Sequence, residues 1–567
     1  MLQTTTPATA LAASIGHLAE THVVQNQPPP LRDTNLYAQD AALREAVARE
    51  GAGWAQADLQ AFGARAGSAE LIELGFQANE NKPVLYTHDN YGHRIDEVRF
   101  HPAYHQLMKI SLENGLHAAH WRQPGPGAHV ARAAKFYLQA QVEAAHGCPV
   151  TMTSAVVPAL QQQPDLAAQW LPKITALGYD HRNIPMEQKS AITVGMAMTE
   201  KQGGSDVRAN TVHAHALAGS GGPGQAYELV GHKYFVSAPM CDAFLVLAQT
   251  ESGLSCFWLP RWHPDGTKNP MQIQRLKNKM GNVANASCET ELRGAWAQMV
   301  GAEGRGVATI LNMVAMTRFD CMVGSSSGMR QAVAQALHHC NYRWAFGKRL
   351  VEQPLMQNVL ADLVVEHEAA LALTLRMGRA LDAGPANEPE KLLVRVGTAV
   401  GKYWICKRAP AHAFEAMECI GGSGVMEDCI MPRLFRESPI NSIWEGSGNV
   451  QCLDMLRAMG RNPGSLDAYM AEVQSATGAD RRLDRYVVNL GRELKDSEHI
   501  EYRARRVVEK MALALQGSLL VRHGDAAVAD AFCASRLEGD TSGLTFGTLP
   551  RGLDCKAIIE RAMPRLT

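Results

Sequence analysis

Two short stretches bring together residue types that can do chemistry. In "SIWEGSGN", Ser442–Asn449, a carboxylate directly follows a tryptophan and is trailed by glycines, a serine and an asparagine. Glu445 can serve there as a base beside a bound group, or as an acidic residue capping the helix that follows. "MAMTEKQGGSDVRAN", Met196–Asn210, joins an apolar strand-like run to a loop at Gly203, Gly204 and Ser205 with open backbone N–H groups. Such a nest suits a pyrophosphate, with the Ser205 hydroxyl on a phosphate oxygen and the Thr199 hydroxyl on a polar ring edge. Read alone, Gly-Gly-Ser-Asp is more often only a turn. In the same way "GHKYFVSAP" alone is a strand with a half-buried aromatic, and Arg343 of "RWAFGKRL" a solvated helix arginine.

These stretches need elements to position them. The 567 residues suffice for three or four domains, and 46% apolar content is ordinary for globular cores. A net charge of -1 gives no overall attraction to nucleic acid, membrane or acidic ligands, so any such attraction is local. The twelve cysteines are scattered without zinc spacing, which suits free thiols in a reducing cytosol and no metal. Residues 1–20 have neither a basic leader nor a continuous apolar core, and no apolar run approaches the roughly 20 residues of a membrane span. A soluble cytoplasmic chain is expected.

Residues 1–185 read as an irregular arm, which three prolines in "VVQNQPPPLRDTNLY" keep from regular structure, followed by a helical domain. "VARAAKFYLQAQVEAA" carries apolar residues at helical spacing. Residues 186–299 read as a small β domain of hairpins, broken at Gly231 and at the Glu251–Gly253 turn. Helical periodicity returns over 300–461, and after the linker "RNPGS" a further helical segment fills 462–567. The fold class is α+β.

The longer strings resemble a known family. "MAMTEKQGGSD" resembles the first signature of the acyl-CoA dehydrogenase flavoproteins, and further family motifs follow in order. "GHKYFVSAP" is similar to the strand pattern Lys-x-Trp-Ile-Thr, "RWAFGKRL" to Arg-x-x-Phe-Gly, and "MECIGGSGVMED" to the second signature, with Glu418 in place of the usual Gln. "SIWEGSGNVQCLDMLRAM" is similar to Ile-Tyr-Glu-Gly-Thr. The resemblance implies a helical domain, a β domain and a helical bundle that together bind FAD. It places Met196, Met198, Thr199, Gly204 and Ser205 at the cofactor, with Phe235 and Val236 against the flavin and Ser237 addressing its N5. Arg343 and Phe346 would serve the FAD of a neighbouring subunit, and Ile443, Trp444, Ser447, Gly448 and Asn449 would border the dinucleotide. Glu445 takes the catalytic base position. A minority of the family carries its base at the position of Thr317, which cannot act as one; the next residue, Arg318, adds a charge at the catalytic site.

The resemblance extends to a divergent branch of the superfamily associated with the adaptive response to alkylation damage, through "NQPPPLRDTNLY", "TRFDCM" and the added C-terminal helices. It implies a homotetramer that binds double-stranded DNA through the last domain. Arg481, Arg482, Arg485, Arg492, Arg503, Arg505 and Arg506 are the candidates for phosphate contact. Fifteen basic residues face fifteen acidic ones from Leu466 onward, so a solvated surface laced with ion pairs is the alternative. The bulk of Trp444 and the charge of Arg318 argue against an efficient fatty acyl-CoA dehydrogenase, yet allow weak activity on a short branched thioester. Two functions follow: a DNA-binding flavoprotein that shields DNA from alkylating agents or destroys them, or a thioester dehydrogenase whose last domain only assembles the tetramer.

Overall fold

A computed structural model describes residues 21–217, 221–538 and 545–566. Residues 1–20, read above as lacking a leader, lie outside the described residues. The proline-rich arm lies along the molecule's own surface: Asn26 brackets the backbone of Trp344, and the Pro29 carbonyl meets His338 at 2.7 Å.

The N-terminal helices are α1 (Ala41–Val47), α2 (Gln56–Ala66), α3 (Ala69–Glu80), α4 (Pro102–Glu113), α5 (Ala128–Ala140), α6 (Gly147–Leu160) and α7 (Pro164–Ile174). Their starts are written locally. Asp40 and Ser68 accept from the backbone N–H groups of Leu43 and Leu71, and Pro102 occupies the first turn of α4, where no N–H is needed. A small hairpin, β1 (Val84–His88) and β2 (Arg94–Arg99), interrupts the helices.

The β domain holds β3 (Val194–Ala197), β4 (His213–Ala216), β5 (Ala226–Ser237), β6 (Ala243–Thr250), β7 (Gly253–Pro260), β8 (Met271–Leu276) and β9 (Ser287–Val300). β6 pairs with β7, β7 with β9, β9 with β5 and β5 with β4, which returns to β6 through one residue pair. The circuit closes, and β3 and β8, each paired on one side, are left as the edge strands. β3 joins β6 in parallel and β8 joins β9. Gly231 does not break its strand as the sequence suggested. It sits at φ +146° inside β5, just past a register shift at Leu229/Val230, so the glycine lets the strand bulge and continue.

The second helical layer is α8 (Gly306–Tyr342), α9 (Pro354–Ala383), α10 (Glu388–Ile420) and α11 (Gly448–Arg461). By length and composition α8 reaches the threshold for a membrane span, contrary to the sequence reading, because small residues such as Ser325–Ser327 stand where charges would. Most of it is buried against α9, α10 and α6, as suits a bundle core helix.

The appended helices are α12 (Gly464–Gln474), α13 (Arg481–Lys495), α14 (Ile500–His523), α15 (Ala526–Phe532) and α16 (Cys555–Ala562). Only Asn462 and Pro463 separate α11 from α12, so the "RNPGS" stretch is no loose tether. Tyr469, Leu483, Met511 and Phe532 enter the same hydrophobic cluster as the bundle. Buried charges bolt the two parts together: Arg536 pairs with Asp362 and Glu366 of α9, and Arg376 spans Glu390 and Glu472.

Candidate functional site

Glu445 sits in the turn ahead of α11, at φ +58°, a backbone region that costs a side-chain-bearing residue on the order of 1–3 kcal/mol. The turn persists because donors converge on it from three helices. Lys402 of α10 donates to the Trp444 and Gly446 carbonyls at 2.6 and 2.5 Å, and Arg318 of α8 donates to the Glu445 carbonyl at 2.9 Å. Gln451 of α11 adds bonds to Glu445 and Gly446. Glu445 is therefore not a helix cap; Ser447 holds that place, without a side-chain bond to the helix.

The Glu445 carboxylate accepts a hydrogen bond from the Thr317 hydroxyl at 2.7 Å. Burial pushes its pKa up, opposed by that bond and by the charges of Lys402 and Arg318. Arg318 itself is neutralised by Asp454 at 2.8 Å. The result is a carboxyl group displaced toward the range useful for proton abstraction.

Trp444, beside Glu445, packs against the hydrophobic cluster that holds Val236 at the end of β5, and the charges of Glu445 and Lys279 both act on the Cys148 thiol of α6. Phe235 is 44% exposed on a strand whose neighbour Val236 is buried, and Lys277 Nζ stands 4.7 Å from its ring centroid. The Met198–Ser205 loop is laid against the same strand by the Tyr234 N–H bond to the Thr199 carbonyl. Beneath it, buried Glu200 accepts from Lys233 and from the Thr211 and Val212 N–H groups; against burial, which raises its pKa, the Lys233 charge and the Thr211 bond hold the carboxyl down at about 2. Gly204 lies so close to the Thr199 hydroxyl that a Cβ would stand 2.4 Å from it, hence the requirement for glycine.

Thus Met196, Met198, Thr199, Gly204 and Ser205 lie on β3 and the loop after it, Phe235, Val236 and Ser237 at the end of β5 against that loop, and Ile443, Trp444 and Ser447–Asn449 on the turn into α11. Arg343 and Phe346 are elsewhere. Arg343 donates to the Asn26 carbonyl of the arm, while Phe346 projects from a short hairpin with 97% of its surface exposed. Of the arginines, Arg482 is bound to Asp480 and Asp530, Arg485 to Glu538, and Arg503 and Arg506 share Glu493. Arg505 reaches back to Asn449 Oδ1 at 2.8 Å.

Lys402, Lys279, Ser287 and Cys148 escaped the sequence reading, since none lies in a quoted motif and each acts across the fold; Gln451 lies within "SIWEGSGNVQCLDMLRAM" but is assigned no role there. Lys402→Met is expected to lower stability by about 1–3 kcal/mol, the cost of leaving buried carbonyls unpaired. Chemical denaturation measures the loss, and hydrogen exchange at Gly446 should accelerate; unchanged exchange there would show that the turn holds without Lys402.

Comparison with known proteins places these elements. Residues 26–181 match the family model of the adaptive response protein AidB N-terminal domain, 195–295 the acyl-CoA dehydrogenase middle domain and 304–460 its C-terminal domain. AidB of Escherichia coli (strain K12) is 45% identical over 92% of this chain and 95% of its own. Acyl-CoA dehydrogenase family member 11 of Caenorhabditis elegans is 31% identical over 83% of this chain and 75% of its own. The crystal structure of C. elegans ACDH-11 in complex with C11-CoA superposes with a TM-score of 0.84 at 28% identity, covering 92% of this chain and 95% of that one.

Proposed function

The chain belongs to the acyl-CoA dehydrogenase family, in the branch with an AidB-type N-terminal domain, and from that membership we propose slow acyl-thioester oxidation at Glu445, joined to DNA binding in the response to alkylation damage. The family depends on FAD. The residues present fit that group: an exposed aromatic, Phe235, on an otherwise buried strand end, hydroxyls at Thr199 and Ser237, and an exposed glycine loop at Gly203–Ser205. Bound there, FAD supplies the hydride acceptor for oxidation next to a thioester carbonyl.

The protein's part is to hold and deprotonate. Glu445, with its raised pKa and strained, clamped turn, is the observation that carries the reading: it takes the proton from the carbon beside the thioester carbonyl. Trp444 narrows the acyl site and favours short or branched chains. The C11-CoA bound by the C. elegans relative supports a CoA thioester as the ligand class. The test is anaerobic mixing of purified protein with a panel of acyl-CoA thioesters. Slow bleaching of the flavin spectrum is expected with at least one; a panel that never reduces the flavin sinks the oxidation.

A second reading, DNA binding, is favoured by a cleft of about 750 Å³ on α13 and α14. Arg492, Arg503, Arg506 and Lys510 line it against only Glu493 and Asp496, so cations outnumber carboxylates. Arg482 and Arg485 pair with carboxylates outside the cleft, whereas Arg503, Arg506 and Lys510 share Glu493, with Asp496 also on Arg503, so the excess positive charge places the expected phosphate contacts at this cleft. On this reading the protein works in the cytoplasm as a homotetramer, shielding duplex DNA or inactivating alkylating agents near it. Duplex binding measured by fluorescence anisotropy should weaken steeply between 50 and 200 mM salt, by up to on the order of 10³-fold for about six phosphate contacts. Replacing Arg492, Arg503 and Arg506 by alanine should weaken it across all sequences and flatten the salt slope. Absence of binding at low salt ends the DNA reading and leaves the thioester reading standing.

A further inference from the structure

A line of hydrogen bonds runs to Ser237, which lies in a family motif quoted above, from Ser287 and Lys279, which lie in none. Lys279 Nζ donates to the Asn285 carbonyl at 2.7 Å and to Ser287 Oγ at 2.9 Å, and Ser287 Oγ lies 2.9 Å from Ser237 Oγ. The backbone fixes the line. Ser237 and Ser287 are direct partners in the β5–β9 ladder, and the Lys277 N–H donates to the Ser287 carbonyl at 2.8 Å.

Directionality follows from the donor inventory. A lysine ammonium has donors and no acceptor, so Ser287 accepts from Lys279. Its own proton is then best used on Ser237 Oγ, since a hydroxyl polarised by a cation donates more strongly. Ser237, accepting from Ser287 at its oxygen, keeps its own proton for a partner other than Ser287. If Lys279 loses its charge, that order is no longer imposed.

The groups around Lys279 come from every element packed on it: Cys148 of α6, Cys288 of β9 and Glu437 of the short helix Met431–Glu437, with Glu445 beyond Cys148. Burial keeps the Cys148 and Cys288 thiols protonated, at about 12, and lifts Glu437 to about 7. Burial lowers Lys279 to about 8, the highest of the changes expected in the near-neutral range.

We propose that Lys279 and Ser287 are positioning residues that turn the Ser237 hydroxyl outward as a donor to the flavin edge, so that the flavin's reduction potential follows the charge on Lys279. The proposal rests on the flavin reading of this pocket. A cation and an oriented donor favour the electron-rich reduced flavin, so the effect is present while Lys279 is protonated and is lost as pH rises through its pKa.

The experiment is a spectroscopic redox titration of the bound flavin between pH 6 and pH 10, in the wild type, Lys279→Gln, Lys279→Arg and Ser287→Ala. At pH 6.5, Lys279→Gln is expected to lower the reduced-to-oxidised ratio at fixed potential about tenfold, which is about 30 mV for a two-electron couple. The gap should close above pH 9. Ser287→Ala should behave like Lys279→Gln, whereas Lys279→Arg, charged throughout, should keep the higher potential and show only the fall with pH that proton uptake by the reduced flavin gives every variant, without the added alkaline step. A step centred a unit lower, unchanged in Lys279→Gln, would assign the titration to Glu437 and overturn the proposal. Parallel curves for wild type and Lys279→Gln also overturn it. So does a Ser287→Ala curve that tracks the wild type, since the charge would then act through space alone. Should Lys279→Gln fail to fold, Ser287→Ala decides. Protein purified without flavin overturns both this inference and the flavin reading; bound flavin with parallel curves overturns the inference alone.

Discussion

Glu445→Gln is expected to slow thioester-driven bleaching of the flavin by on the order of 10²–10⁴-fold, the range typical of losing a positioned general base. The amide keeps the size of the side chain and can still meet the Thr317 hydroxyl, so flavin content and melting behaviour should stay near wild type. The pH dependence carries its own sign. Only the carboxylate accepts a proton, and burial raises the Glu445 pKa, so the wild-type rate should climb as pH rises through that raised value. The residual rate of Glu445→Gln should lack this rise. Stopped-flow absorbance at several pH values measures both features. A variant as fast as the wild type would remove the base role from Glu445, and Thr317, its hydroxyl neighbour, could not inherit it.

The second large effect is on stability. Arg536 of the appended segment lies buried between Asp362 and Glu366 of α9, and Arg408 approaches Glu366 from α10 at 3.2 Å. Arg536→Ala leaves Asp362 buried without its cation and Glu366 with only Arg408. Breaking one partner out of a buried pair costs about 3–5 kcal/mol, far more than the pair contributes relative to an apolar substitute. Guanidinium denaturation should show a loss of that size. Arg485→Ala serves as the contrast: its pair with Glu538 is exposed on both sides, and such pairs contribute about 0–1 kcal/mol. Equal losses in the two variants would mean that Arg536 is not the bolt it appears from its contacts.

How much was legible in the sequence follows from the range of each interaction. "SIWEGSGN" could be read because the turn, its carboxylate and the helix start are consecutive residues. The same holds for the loop at Gly203–Ser205, where a missing side chain next to Thr199 is a local steric requirement. Lys402 and Lys279 could not be read. Each is one lysine among many, and its meaning comes from carbonyls or hydroxyls that only the folded chain brings to it. Gly231 misled for a related reason: a glycine marks a place where the backbone departs from the ordinary, yet whether it ends a strand or bulges within one depends on the partner strand, here β9. The composition of α8 misled too, because small residues that pack helices tightly also spare a helix from charge. The arginines of α13 and α14 gave an undivided positive count in the sequence. Their partners divide them into a spent set, held by Asp480, Asp530 and Glu538, and a set grouped around Glu493.

The last helices share their core with the bundle, and Arg505 touches the Asn449 turn. A module on a tether explores a volume and finds its ligand by search; this one has a fixed address. The span between the cationic cleft and the carboxylate pocket is therefore a constant of the fold rather than an average over positions.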